Sequence, residues 1–106
     1  MRRLKVGIDT GHRGRLTRPR DTGAVFDGNV ESDIVARYAP ALELALVAAG
    51  HEVFPLRDGE YSSRAARARD YGCDIVVACH VNASASHTAF WRTRLGGCVM
   101  VGGRAG

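Results

Sequence analysis

Two of the four histidines in this chain, His12 and His80, each follow an apolar run that reads as a β-strand. The first run is Lys5-Val6-Gly7-Ile8-Asp9, continued by Thr10-Gly11. The second is Cys73-Asp74-Ile75-Val76-Val77-Ala78-Cys79. In an open α/β sheet, ligands gather beyond the carboxyl ends of the strands. Two strands that end in histidine therefore bring two imidazoles to one rim. Glu31, at the start of a helix reached directly from the first loop, can lie at the same rim. Two neutral imidazoles and one carboxylate form a ligand set used by catalytic zinc, with a fourth position left for water. Zinc in such a setting lowers the pKa of its water and polarises a carbonyl, the requirements for amide hydrolysis. Each residue alone has a plainer reading: a hydrogen-bonded or surface histidine, or a carboxylate facing a helix dipole. Only the coincidence of the three positions points to a metal. His51, at a strand start, and His87, in a loose loop, carry no such coincidence and receive no role.

The elements that must position these residues are legible in order. Leu4 to Asp9 is strand one, with Val6 and Ile8 facing one way. Gly11 and Gly14 permit the backbone angles of a sharp turn that presents His12. Arg13 to Arg20 is a polar, arginine-rich loop closed by Pro19, and Asp21-Thr22-Gly23-Ala24 continues it as a turn. Asp27-Gly28-Asn29 gives stop and start signals, with Asn29 the expected N-cap of a helix over about Val30 to Ala49. Ile34, Val35, Tyr38, Ala39, Leu42, Ala45, Leu46 and Ala49 form its core-facing stripe. Pro40 is expected to kink this helix, and Gly50 to follow its end. His51 to Leu56 is a second strand, placed at an edge by Pro55. Ser62 or Ser63 caps a second helix that runs to about Arg69 and ends at Gly72. Cys73 to His80 is an unbroken apolar run of the kind found in a central parallel strand. Gly97 to Val101 could start one more. The alternation of strand and helix predicts a single α/β domain over residues 1–106, a mainly parallel or mixed twisted sheet flanked by helices in three layers.

Composition narrows the partners. The 106 residues carry a formal charge of +4, mostly through arginine. A basic balance favours polyanions such as nucleic acid, anionic membrane or an acidic cell-wall polymer. No aromatic residues interleave with the charges as nucleic-acid binding requires, so a solvated arginine surface and no nucleic-acid partner are expected. Cys73, Cys79 and Cys98 form no CxxC pair, which argues against a disulfide framework or a zinc ribbon and for reduced thiols. No apolar run is long enough to span a bilayer. Met1-Arg2-Arg3 is basic, but Asp9 and His12 interrupt any hydrophobic stretch behind it. Synthesis as a soluble cytoplasmic protein without a signal peptide is the expectation. Gly7-Ile8-Asp9-Thr10-Gly11 also resembles the first phosphate loop of sugar kinases and actin-like ATPases, but no second phosphate motif follows. Gly7, Gly11 and Gly14 lack the GxGxxG spacing of a dinucleotide site.

Taken together, Ile8-Asp9-Thr10-Gly11-His12, Asp21-Thr22-Gly23-Ala24, Glu31 at a helix start and Cys79-His80-Val81-Asn82-Ala83 resemble the zinc-dependent N-acetylmuramoyl-L-alanine amidases of the amidase-3 type. These are cell-wall hydrolases of bacteria and of their phages, where they serve as endolysins. The resemblance runs from strand one to about Ala83. It implies one zinc ion per chain held by His12, Glu31 and His80, and cleavage of the amide between the muramic acid lactyl group and L-alanine of peptidoglycan. Action on the wall would then follow export or phage-mediated release. Arg64 resembles the family's arginine on the helix before the second histidine, and with Asn82 it is assigned to substrate binding. Asp9 is expected to orient the His12 ring, as such ligands are usually held.

Three departures accompany the resemblance. Thr10 stands where the family usually has proline, and Cys79 where it usually has serine. The family domain is also longer and brings a catalytic glutamate on a late strand, whereas no Asp or Glu follows His80 here. The expectation is an amidase-type domain lacking those late strands and that general base. It would leave an open sheet edge near Gly97 to Val101 that favours self-association. The alternative is a non-catalytic, zinc-containing wall-binding module.

Overall fold

The computed structural model describes residues 2–81. Asn82, His87, Cys98 and the candidate strand at Gly97 to Val101 lie outside them. Among the described residues three parallel strands form the sheet: β1 (Lys5–Asp9), β4 (Glu52–Leu56) and β5 (Ile75–Ala78), in the order β4-β1-β5. Val6 is in register with Val53 on one side and Ile75 on the other. Between β1 and β4 the chain makes a small antiparallel ladder of β2 (Val25–Phe26) and β3 (Asn29–Val30), then helix α1 (Glu31–Ala48). Helix α2 (Tyr61–Tyr71) joins β4 to β5.

The expected α/β class and parallel pairing are present, and Pro55 does sit on a strand that is outermost among the described residues. Among the described residues β1 is the strand paired on both edges, and the apolar run ending at His80 supplies β5 beside it. Val6, Gly7 and Ile8 are all buried, whereas Ile75 and Val76 of β5 are 47% and 48% exposed. Unbroken hydrophobicity identified a strand but not its neighbours. Position in the sheet follows from pairing, and β1 pairs on both edges. Gly7 makes this close packing possible: a Cβ there would lie 2.9 Å from Leu56 Cδ1 and 3.3 Å from Val76 Cγ2.

Helix α1 packs on the face of the sheet that carries Val6 and Ile8. There they form the core with Val35, Ala39 and Cys79, with Leu42, Leu46, Val53 and Val77 packed around them. Full burial of a side chain such as Ile8 or Val35 contributes about 1.5–3 kcal/mol. On the other face, Phe54 stacks on Tyr71 of α2 at 4.9 Å between ring centroids. The first crossover runs from β1 out to β4 and the second returns from β4 past β1 to β5. Parallel crossovers share one hand, so two that run in opposite directions place their helices on opposite faces, which gives the three layers. Only part of the expected α1 stripe is buried; Ala45 and Ala49 are exposed. Pro40 lies within α1 on its exposed side, and the helix continues unbroken through it.

The start of α1 also departs from the sequence reading. Asn29 lies in β3, and the N-cap is Val30, which has no side-chain cap. Loop carbonyls replace the cap. The Glu31 N–H donates to Ala24 O at 2.9 Å and the Ser32 N–H to Thr22 O at 3.0 Å. These bonds satisfy two of the free amides of the first turn and fasten the Asp21–Ala24 turn beside Glu31. At α2 neither Ser62 nor Ser63 caps; Glu60 precedes the helix, again without a cap bond. Gly72 ends it in the left-handed conformation, as expected. Cys73 and Cys79 are free thiols, half-buried and buried respectively.

Candidate metal centre

Beyond Asp9 the chain turns through Gly11 and Gly14, both at positive φ. Asp9 Oδ1 accepts the Gly11 N–H at 2.8 Å and an Arg64 Nη1 bond at 2.7 Å. Asp9 therefore folds the loop and does not reach the His12 ring, contrary to expectation. Arg64 is 1% exposed and directs its guanidinium into the same loop. It donates to Gly59 O at 3.0 Å, Arg13 O at 2.6 Å and Arg57 O at 3.1 Å, and also to Gly11 O. A planar fork of five donors suits this cluster of carbonyls. The structure thus places Arg64 under the loop, facing inward.

The ring of His12 is oriented by Asp21, whose Oδ1 lies 2.9 Å from His12 Nδ1. Sequence reasoning missed this residue. The signal was there, since Asp21 opens the Asp-Thr-Gly-Ala run, but a turn aspartate has many uses and only the folded loop shows which one holds. Burial pushes the Asp21 carboxyl up, yet the Gly23 N–H, Arg15 and His12 outweigh it and hold it down at about 2. Tyr61 was also missed; its hydroxyl lies 3.4 Å from His12 Nδ1.

Glu31 collects the rest. It is 6% exposed and each of its oxygens has two partners. Oε1 accepts the Ala24 N–H at 3.0 Å and lies 3.3 Å from His12 Nε2. Oε2 lies 2.9 Å from His80 Nδ1 and accepts the Val81 N–H at 3.1 Å. Burial raises its pKa, but the two backbone amides and the two imidazoles pull it below the usual carboxylate range. The His12 and His80 rings meet edge to face, 5.3 Å between centroids. His12, Glu31 and His80 each offer one ligand atom, and these atoms all lie within 4.8 Å of one another. Gly23 is the close approach that permits this: at φ +71° it passes so near that a Cβ would lie 2.5 Å from His12 Cδ2 and 2.6 Å from Glu31 Oε1.

The donor set fits a cation. Asp21 is ionised and can only accept, so His12 Nδ1 carries the ring proton in the neutral form. His12 Nε2 then presents a lone pair to Glu31 Oε1, which also only accepts. A positive ion between them satisfies both. The three residues that sequence spacing singled out are thus brought together. Arg64 lies beneath the loop and Asn82 lies outside the described residues. His51 accepts the Leu4 N–H at 3.1 Å, in keeping with a structural role.

A three-layer α/β domain with a His–Glu–His group at the carboxyl ends of β1 and β5 defines the class. The chain belongs to the amidase-3 family, described as N-acetylmuramoyl-L-alanine amidase, whose family model matches residues 6–100. Among solved structures it is similar to the N-acetylmuramoyl-L-alanine amidase AmiC2 of Nostoc punctiforme, with 26% sequence identity and a TM-score of 0.66. That similarity covers 77% of this chain but 46% of AmiC2, so the chain spans less than half the length of that amidase. No curated protein matches it.

Proposed function

We propose that this domain hydrolyses the amide between the lactyl group of N-acetylmuramic acid and L-alanine in peptidoglycan, with one zinc ion per chain held by His12, Glu31 and His80. The observation that carries the reading is the meeting of two imidazoles on one buried carboxylate, in a chain of the amidase family. Bound zinc supplies Lewis acidity, polarising the scissile carbonyl and activating water near neutral pH. The protein's own residues prepare the ligands. Asp21 keeps the His12 proton on Nδ1, which leaves Nε2 as the ligand atom. The Ala24 and Val81 amides hold Glu31 ionised and aimed, and the Val81 amide ties the chain just after His80 to the same carboxylate. Asn82, two residues beyond His80, is assigned to the substrate side. Arg64, turned inward, is assigned to holding the His12 loop. Action at the cell wall is part of the same proposal. Among the described residues no helix is long and apolar enough to cross a membrane.

A second reading is a zinc-containing module that binds wall without cutting it, with the same His–Glu–His group holding the ion. Metal analysis combined with a muropeptide-release assay decides between the two. One zinc per chain with new L-alanine amino termini supports hydrolysis; one zinc without them supports binding alone. His12→Ala and His80→Ala should each abolish stoichiometric zinc, because two protein ligands rarely hold it at a catalytic site. Full zinc occupancy in both variants would refute the ligand assignment.

A further inference from the structure

The geometry points to a positioning relay, Glu60–Arg15–Asp21, that reaches from the start of α2 to the His12 ring and sets the metal affinity of the centre. This rests on the reading of His12 as a zinc ligand. The bonds run without a gap. Asp21 uses Oδ1 for His12 Nδ1 at 2.9 Å and for the Gly23 N–H at 3.0 Å, and Oδ2 for Arg15 Nη1 at 2.9 Å. Arg15 Nε donates to Glu60 Oε2 at 2.9 Å. Glu60 Oε1 accepts both the N–H and the hydroxyl of Thr17, each at 2.8 Å. Every oxygen of both carboxylates has a partner. Arg15 is 16% exposed in its side chain and lies over the Tyr61 ring, 4.7 Å from its centroid.

Three properties make this more than a surface ion pair. The carboxylate on Nδ1 fixes the tautomer and raises the basicity of Nε2, the atom that faces Glu31. Arg15 spans two carboxylates with one planar group, which a lysine ammonium cannot reproduce. The relay also joins loop positions 15, 17 and 21 to Glu60, so the loop is clamped and the ligand aimed by the same bonds. Its two carboxylates and one guanidinium leave one net negative charge beside His12, which with Glu31 complements a divalent ion. The Arg13 side chain, in the same loop, pairs among the described residues only with Asp33, and both side chains are 59% exposed. It stands outside the relay and provides a control.

The test is zinc affinity of the full chain by chelator competition, read together with the thermal midpoint of the metal-free protein and the ring 15N shifts of His12. Asp21→Asn should weaken zinc about 10- to 100-fold, the usual effect of removing such a partner. Asn can also turn its NH2 toward Nδ1, and the His12 proton should then move to Nε2 in the 15N spectrum. Arg15→Lys and Glu60→Gln should each weaken zinc by up to about 10-fold, and Arg13→Ala should leave it unchanged. Because Arg15 acts through Asp21, the double variant Asp21→Asn/Arg15→Lys should bind zinc no more weakly than Asp21→Asn alone. Full additivity, or native affinity in the Asp21 and Arg15 variants, overturns the relay while the native chain still binds zinc. A native chain that binds no zinc overturns the metal reading itself, and the relay with it.

Discussion

Replacing Arg64 tests what holds the His12 loop. Its guanidinium is 1% exposed, pairs with Asp9 at 2.7 Å and donates to the carbonyls of Gly11, Arg13, Arg57 and Gly59. Arg64→Ala strands a largely buried carboxylate and four carbonyls. Breaking a buried pair by removing one partner costs about 3–5 kcal/mol, a large part of the roughly 5–15 kcal/mol that holds a small domain folded. That variant is expected to be mostly unfolded or loosely folded. Arg64→Lys is the more informative change. Its ammonium keeps the charge near Asp9 but cannot serve four carbonyls around a planar fork, and unsatisfied buried acceptors cost about 1–3 kcal/mol. Urea denaturation of the metal-free chain should show a loss in that range, with weaker zinc binding because the His12 loop loosens. If Arg64 instead serves substrate, Arg64→Lys should change only the Michaelis constant for wall substrate. Stability within about 0.5 kcal/mol of native, the range of ordinary surface changes, would refute the role assigned here.

Two further outcomes follow from the same geometry. Gly23→Ala forces a Cβ against His12 and Glu31 at φ +71°, so it should cost stability and remove stoichiometric zinc, measured by metal analysis of the purified variant. The pH dependence of stability should carry the signature of Glu60. The Thr17 amide and hydroxyl, with Arg15, hold its carboxyl at about 2, against 4.5 for a free glutamate. A carboxylate with a lowered folded-state pKa stabilises above its unfolded value and loses that contribution as pH falls. Urea midpoints should therefore drop between pH 4.5 and 2, and less steeply in Glu60→Gln. An unchanged slope in that variant refutes the assignment.

The sequence by itself determined the class of fold and the three candidate ligands. Strand–helix alternation requires a parallel sheet, because a crossover helix returns the chain in the same direction. A sheet of that kind gathers its strand ends at one rim, so His12, Glu31 and His80 could be grouped from their positions alone. Gly50 and Gly72 marked helix ends through a local preference that needs no tertiary partner. What the tertiary structure decided were choices among equivalent candidates. Both Asp9 and Asp21 could have oriented His12. Arg64 made Asp9 its partner, and the Ala24 and Thr22 carbonyls fastened the turn that carries Asp21 beside the ring. Arg64 read as a substrate contact because nothing local shows which way an arginine points; its burial depends on carbonyls contributed by two separate loop segments. The unbroken apolar run of β5 marked a strand, but its pairing with β1 was set by neighbours distant in the chain. Residue type and spacing are local and can be read along a sequence. Orientation and partnership are set by contacts between residues, some of them 40 to 70 positions apart, and only folding assigns them.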